Sequence, residues 1–162
     1  MKNLTLIRHA KSSWNAPLHD KDRPLANRGV KDAHLVSANI LKHLPKTFII
    51  WSSTAKRAAE TAIIFTQNML CPVESIIFKD ELYTFDEKHL EKIVMSCSND
   101  YESVILFGHN EAITNFVNKF GDVSIDNVPT TGVVSINFDT DDWETISKGK
   151  TEKVIFPRDL KL

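Results

Sequence analysis

Five short apolar runs rich in β-branched residues, Leu4 to Ile7, Phe48 to Trp51, Val73 to Phe78, Ser103 to Phe107 and Val133 to Phe138, alternate along this chain with segments of helical period. The helical segments carry their apolar positions at Val30, Ala33, Ser37, Ile40, Leu41 and Leu44, then at Ala58, Ala62, Phe65 and Met69. Two more follow, at Leu90, Ile93, Val94 and Cys97 and at Ile113, Phe116, Val117 and Phe120. Strands that alternate with helices pair in parallel, because each crossover needs a dozen or more residues, and a parallel sheet must be covered on both faces. The fold class expected is α/β, a three-layer α/β/α sandwich around a mostly parallel central sheet. Val154 to Phe156 is expected to add a final strand. At 162 residues with 42% hydrophobic content, the chain matches one ordinary domain, residues 1–162, with one sizeable core.

Open sheets of this class bind ligands in the crevice beyond the carboxyl ends of their strands. Three features of the sequence converge there. Arg8-His9 ends the first apolar run, Arg57 lies in the first turn of the helix after the second, and His109, in Gly108-His109-Asn110, follows the fourth run and opens a helix. The polar segment Lys11 to Pro24, with two prolines, reads as a loop framing that edge, and a helix begins near Asn27.

Two histidines and two arginines on one sheet edge can surround a phosphoryl dianion and leave one imidazole free to attack phosphorus. His9 is the candidate nucleophile. It must be neutral at the attacking nitrogen, with its other nitrogen held by an acceptor, and the flanking Arg8 and Arg57 disfavour the imidazolium by like-charge repulsion. The same arginines bind phosphate oxygens through their planar forks, and His109 at a helix N-terminus adds oxygen stabilisation. No metal or other cofactor is needed for this chemistry. Rival phosphatase chemistries lack their signatures. The sixth residue after Cys71 is Ile77 and after Cys97 is Ser103, which rules out a Cys-to-Arg phosphate loop, and no Walker-type loop or Gly-x-Ser-x-Gly elbow occurs. Asp139-Thr140-Asp141 after an apolar run stands as a weak aspartate-nucleophile alternative.

Lys and Arg number 20 against 21 Asp and Glu, so no overall field favours nucleic acid or an anionic membrane. The chain starts its first strand at Leu4 and holds no window near the ~18 apolar residues of a span, so a soluble, unexported protein is expected. Cys71 and Cys97 make no disulfide framework and no metal spacing, which suits reduced thiols in the cytoplasm. His19, His34, His43 and His89 read as surface or loop residues. Arg28 is weighed as a structural ion-pair partner and left out of the catalytic set, and Trp14 either lines the entrance or seals the loop.

Leu6 to Trp14, Asp22 to Gly29, Ser53 to Ala62 and Gly108-His109-Asn110, in that order, resemble the histidine phosphatase superfamily, and within it the small SixA-like phosphohistidine phosphatases. The resemblance implies a phosphoglycerate-mutase-like fold, His9 as the phosphorylated nucleophile, and Arg8, Arg57 and His109 as the phosphate pocket. Ala10 stands where the family commonly has Gly and the SixA-like subgroup has Ala. A proton donor is expected between the second Arg and the second His, with Glu81 at the matching place and Asp80 as the alternative.

The leading expectation is therefore a metal-independent phosphatase acting through a phospho-His9 intermediate, with protein-borne phosphohistidine as substrate. The segment between Arg57 and His109 is filled by regular elements, which leaves no room for a large lid and implies an open site. A phosphomonoesterase or mutase-like enzyme on small metabolites is the alternative, and a non-catalytic module binding phosphorylated partners is a third. Neither nucleic acid nor membrane is expected as a partner.

Overall fold

A computed structural model describes residues 1–161. Six strands form one sheet: β1 (Lys2–Arg8), β2 (Ile49–Ser53), β3 (Ile76–Lys79), β4 (Ser103–Gly108), β5 (Val133–Phe138) and β6 (Lys150–Ile155), in the spatial order β3-β2-β4-β1-β5-β6. The first four are mutually parallel, whereas β5 runs antiparallel to β1 and β6 antiparallel to β5. The five main helices are α1 (Asn27–Ile40), α2 (Lys56–Asn68), α3 (Glu87–Met95), α4 (Ala112–Phe120) and the short α5 (Pro157–Leu160). The fold is α/β with a mixed, mostly parallel sheet flanked by helices.

The strands sort their side chains by the two-residue period. Leu4, Leu6, Val104, Leu106, Val134 and Ile136 face α3 and α4, in a cluster with Ile113, Phe116, Val117 and the fully buried Trp143. Ile7, Ile50, Ile105, Phe107 and Val133 face the other way, onto Ala33, Val36 and Ile40 of α1 and Ala62 and Phe65 of α2. Burial of a side chain such as Phe65, which meets Phe107 edge to face at 5.2 Å, contributes about 2–3 kcal/mol. The packed stripe of α1 is narrower than the periodicity implied, because Val30 and Leu41 are exposed at its two ends.

Two boundaries differ from the sequence reading for a physical reason. Val73 to Ser75 forms a 3-10 turn rather than the start of β3, after Pro72, which cannot donate to a ladder. β6 spans Lys150–Ile155, longer than the apolar Val154 to Phe156, because an edge strand with one solvated face tolerates Lys150, Glu152 and Lys153. Among the described residues no helix is long and apolar enough to cross a membrane.

The order of strands decides where the chemistry gathers. β4 lies between β2 and β1, and the register sets Arg8 beside Gly108 and Ser52 beside Phe107. The carboxyl ends of three neighbouring central strands therefore finish level, with His9 continuing the ladder by donating its N–H to the Gly108 carbonyl at 3.1 Å. The antiparallel sense of β5 sends Asp139, Thr140 and Asp141 to the opposite edge, where Asp141 pairs with the N-terminal ammonium at 2.7 Å. That removes the aspartate-nucleophile alternative.

Candidate active site

The loop after β1 is fixed from two helices. The Ala10 N–H donates to Thr61 Oγ1 on α2 at 2.9 Å, and that hydroxyl donates to the Arg57 carbonyl one turn earlier. The Ala26 N–H donates to the Lys11 carbonyl, and Gly29 of α1 approaches so closely that an added Cβ would sit 2.1 Å from the Lys11 oxygen. Only glycine permits that contact. Glu60 on α2 accepts from the Leu25 N–H, tying down the far end of the Lys11 to Pro24 loop. His9 is thus held by packed helices, not by its own loop.

His9 is buried, with Nδ1 2.7 Å from the Ala10 carbonyl oxygen. A carbonyl only accepts, so Nδ1 carries the proton and Nε2 keeps its lone pair. Arg57 Nε–H donates to that Nε2 at 3.3 Å. Burial first, then the charges of Arg57, Arg8 and Arg23, lower the His9 pKa to about 4 against the opposing pull of the Ala10 hydrogen bond. At neutral pH the ring is uncharged, with its free nitrogen beside a guanidinium.

His109 is 1% exposed, and its ring centroid lies 5.3 Å from that of His9. Its Nε2 is 2.8 Å from Ser53 Oγ. That hydroxyl also accepts from the Ala55 N–H at 3.1 Å. The other His109 ring nitrogen, Nδ1, is buried with no partner among the described residues. Burial, then the charges of His9 and Arg57, lower this pKa to about 3. Tyr83 and Phe85 wall the ring edge-on at 5.3 and 5.5 Å.

Arg8 donates from Nη1 to the Val128 carbonyl at 2.9 Å and keeps a buried Nε without a partner. Burial, then the charge of Arg57, lowers its pKa from the ordinary guanidinium value. Arg8 Nε and His109 Nδ1 are thus two buried nitrogens with no hydrogen-bond partner among the described residues. The cleft is open, about 410 Å³ in volume, and lined by Arg8, His9, Arg23, Arg57, Asp20 and Trp14 among others.

Four of the five residues singled out in the sequence gather here, Arg8, His9 and Arg57 in the cleft lining and the buried His109 behind it with its ring against that of His9. Glu81 does not: it is exposed and lies outside the cleft lining. The Asp80–Leu82 3-10 turn buries Leu82 and swings Tyr83, not Glu81, toward the site. Asp80 is spent on Thr54 at 2.7 Å and on Lys21 at 3.5 Å. Arg28 pairs with Asp32 at 3.9 Å on α1, and the four other histidines are exposed, as expected.

Sequence reasoning missed Asp20 and passed over Arg23. Arg57 Nη2 donates to Asp20 Oδ2 at 2.9 Å and Nη1 to the Asp20 carbonyl at 2.6 Å, while Arg23 Nη1 donates to Asp20 Oδ1 at 3.1 Å. Tyr83 Oη–H donates to Oδ2 at 2.5 Å. Burial works against the carboxylate, but the hydrogen bond from Tyr83 and the bonds and charges of Arg57 and Arg23 prevail and hold its pKa at about 2. Arg23 also bonds Ser12 and the Ser13 carbonyl and stacks on Trp14, 3.2 Å from the ring centroid. Trp14, 77% exposed, lines the mouth. The signal available was Asp20 three positions before Arg23 in a loop predicted to frame the site.

Comparison with known proteins bears on the fold and the family. Over 55 residues the chain is 42% identical to an uncharacterized protein of Mycobacterium tuberculosis, a match covering 34% of this chain and 35% of that relative. The chain thus covers about a third of the length of that relative. Its fold is similar to that of the protein histidine phosphatase SixA complexed with tungstate, at TM-score 0.82 and 19% identity over 98% of this chain and 99% of that one. A mycobacterial glucosyl-3-phosphoglycerate phosphatase in complex with VO3 follows at TM-score 0.69 and 13% identity, over 94% and 98%. The family model of the histidine phosphatase superfamily (branch 1) matches residues 4–83, which hold Arg8, His9 and Arg57. With that match, and a fold shared over nearly its whole length, the chain belongs to the histidine phosphatase superfamily, branch 1.

Proposed function

We propose that the cleft is the active site of a metal-independent phosphatase that transfers a phosphoryl group to His9 Nε2 and hydrolyses the phosphohistidine so formed, with protein-borne phosphohistidine as its substrate. The observation that carries the substrate class is the state of the acid. Among the described residues lining the cleft Asp20 is the one carboxyl group, and its pKa near 2 keeps it ionised at neutral pH. A phosphomonoester expels an alkoxide, a strong base that needs a proton delivered in the transition state. Phosphohistidine that takes a proton from solvent on its other ring nitrogen expels a neutral imidazole, whose conjugate acid has an ordinary pKa of about 6.5, so its departure demands no acid from the protein.

The remaining groups fit such a transfer. His9 Nε2 attacks phosphorus as the bond to the departing imidazole nitrogen breaks, and Ala10 holds the developing positive charge at Nδ1–H. Arg8, Arg57 and His109 take up the equatorial oxygens, where charge is spread in the transition state. Water then attacks the phospho-His9 intermediate from the open side of the cleft. The SixA structure with tungstate supports an oxyanion in the equivalent fold.

Phosphate release would be measured, with chelator present, from a phosphohistidine-bearing protein and from a panel of small phosphomonoesters, using wild type and His9→Ala side by side. Preferential, His9-dependent release from phosphohistidine is expected. Preference for one metabolite would move the substrate to the phosphomonoester class, and near-normal turnover by His9→Ala would remove His9 as nucleophile.

A further inference from the structure

Asp20 presents a physical puzzle at a site that binds a dianion. Its side chain lines the same cleft as His9, Arg8 and Arg57 and is 45% exposed. It bridges the two guanidinium groups of Arg57 and Arg23 and takes a third hydrogen bond from Tyr83. These bonds do not exhaust Arg57. Of its five N–H groups, Nε uses one on His9, and Nη1 and Nη2 use one each on Asp20, so two remain for a phosphoryl oxygen. A bound phosphate therefore shares Arg57 with a resident carboxylate and feels its negative charge at short range.

We infer that Asp20 is the built-in counter-charge that limits how tightly the cleft holds phosphate, so that the inorganic phosphate left by hydrolysis is released. This rests on the phosphatase reading of the site. Three arginines and Lys11 around one cleft would otherwise retain the dianionic product, and an enzyme that binds product tightly turns over slowly. One like charge a few ångströms from a dianion at the edge of a half-exposed site is enough to change affinity about tenfold or more. Asp20 does this without disorder, because its backbone carbonyl and carboxylate also fix the plane of Arg57. It is a positioning residue with an electrostatic function, distinct from the proton donor sought in the sequence.

The test is the dissociation constant of inorganic phosphate, measured by calorimetry at pH 7.5 on the full chain, for wild type, Asp20→Asn and Asp20→Ser. Asn keeps an acceptor oxygen for Arg57, Arg23 and Tyr83 and removes only the charge; Ser removes the charge with a smaller side chain. Both variants are expected to bind phosphate about tenfold tighter than wild type, and Asp20→Asn to show a pre-steady-state burst followed by slower turnover as release becomes limiting. A wild type that binds phosphate while both folded variants bind it equally or more weakly overturns the inference alone, since a purely structural Asp20 predicts weaker binding. A wild type that binds no phosphate overturns the phosphate-site reading and this inference with it.

Discussion

Arg57 Nε–H points at His9 Nε2 across 3.3 Å while both Nη atoms of the same guanidinium are held by Asp20. One planar group thus orders the His9 lone pair and the face proposed to bind the anion together, which a flexible ammonium could not do. Arg57→Lys is expected to keep the positive charge and the fold but to slow phosphoryl transfer by about 10²-fold or more. Single-turnover kinetics with phosphohistidine protein would check it, and a loss below tenfold would show that charge alone suffices.

The buried imidazoles make a prediction about pH. In the folded protein His9 and His109 titrate near 4 and 3, below the ordinary value of 6.5 that an unfolded chain restores. Between those values the unfolded chain binds protons that the folded one excludes, so stability is full above about 6.5 and falls as the pH drops toward 4. Asp20 acts at lower pH: its depressed pKa gives stability above its ordinary 3.8 that disappears as the pH falls through about 2. Imidazole NMR should show His9 as the neutral Nδ1–H tautomer down to about pH 5. A His9 midpoint near 6.5 would contradict this account of the site.

Gly29→Ala should be destabilising out of proportion to its size. Its methyl group would meet the Lys11 backbone oxygen at 2.1 Å, and a backbone atom cannot rotate away as a side chain can. The expected cost is about 1–3 kcal/mol, with a matching loss of turnover because α1 and the loop after His9 must separate. Thermal unfolding and kcat, measured together, check it; unchanged activity would mean that the loop moves without carrying His9.

Trp14 and Arg23 form a stacked pair at the mouth, with most of the indole in water. Trp14→Ala is expected to leave the melting temperature nearly unchanged and to lower kcat/KM about threefold to tenfold, the range of a cation–π contact that orders an arginine. A drop in melting temperature comparable to that of Gly29→Ala would instead make Trp14 a seal over the core.

Glu81→Gln should behave as wild type on phosphohistidine, because the side chain is exposed outside the cleft lining. A hundredfold loss would return Glu81 to the role of proton donor.

The parts of this site that could be read from the sequence are those written in local pattern. Arg8-His9, Arg57 and His109 each sit at or just beyond the carboxyl end of an apolar run, and parallel pairing brings such ends to one edge without further information. Asp20 could not be read in the same way, since its partners Arg57 and Tyr83 lie 37 and 63 residues away and its loop has no period. Glu81 was misplaced by one turn of 3-10 helix, too short a feature for spacing to foretell which of Glu81, Leu82 and Tyr83 turns inward. The antiparallel sense of β5 was likewise hidden, because the buried residues of Val133 to Phe138 are apolar apart from Ser135 and carry no mark of direction.

The placement of β4 between β2 and β1 divides the site into two materials. Arg8, His9 and His109 lie at the carboxyl ends of central strands, where amide exchange is expected to need a large opening of the molecule, whereas Trp14 to His19 form an exposed wall whose amides are expected to exchange through local fluctuation. On the proposed function, a substrate would meet a floor anchored in the sheet and a wall free to adapt to whatever surrounds the phosphoryl group.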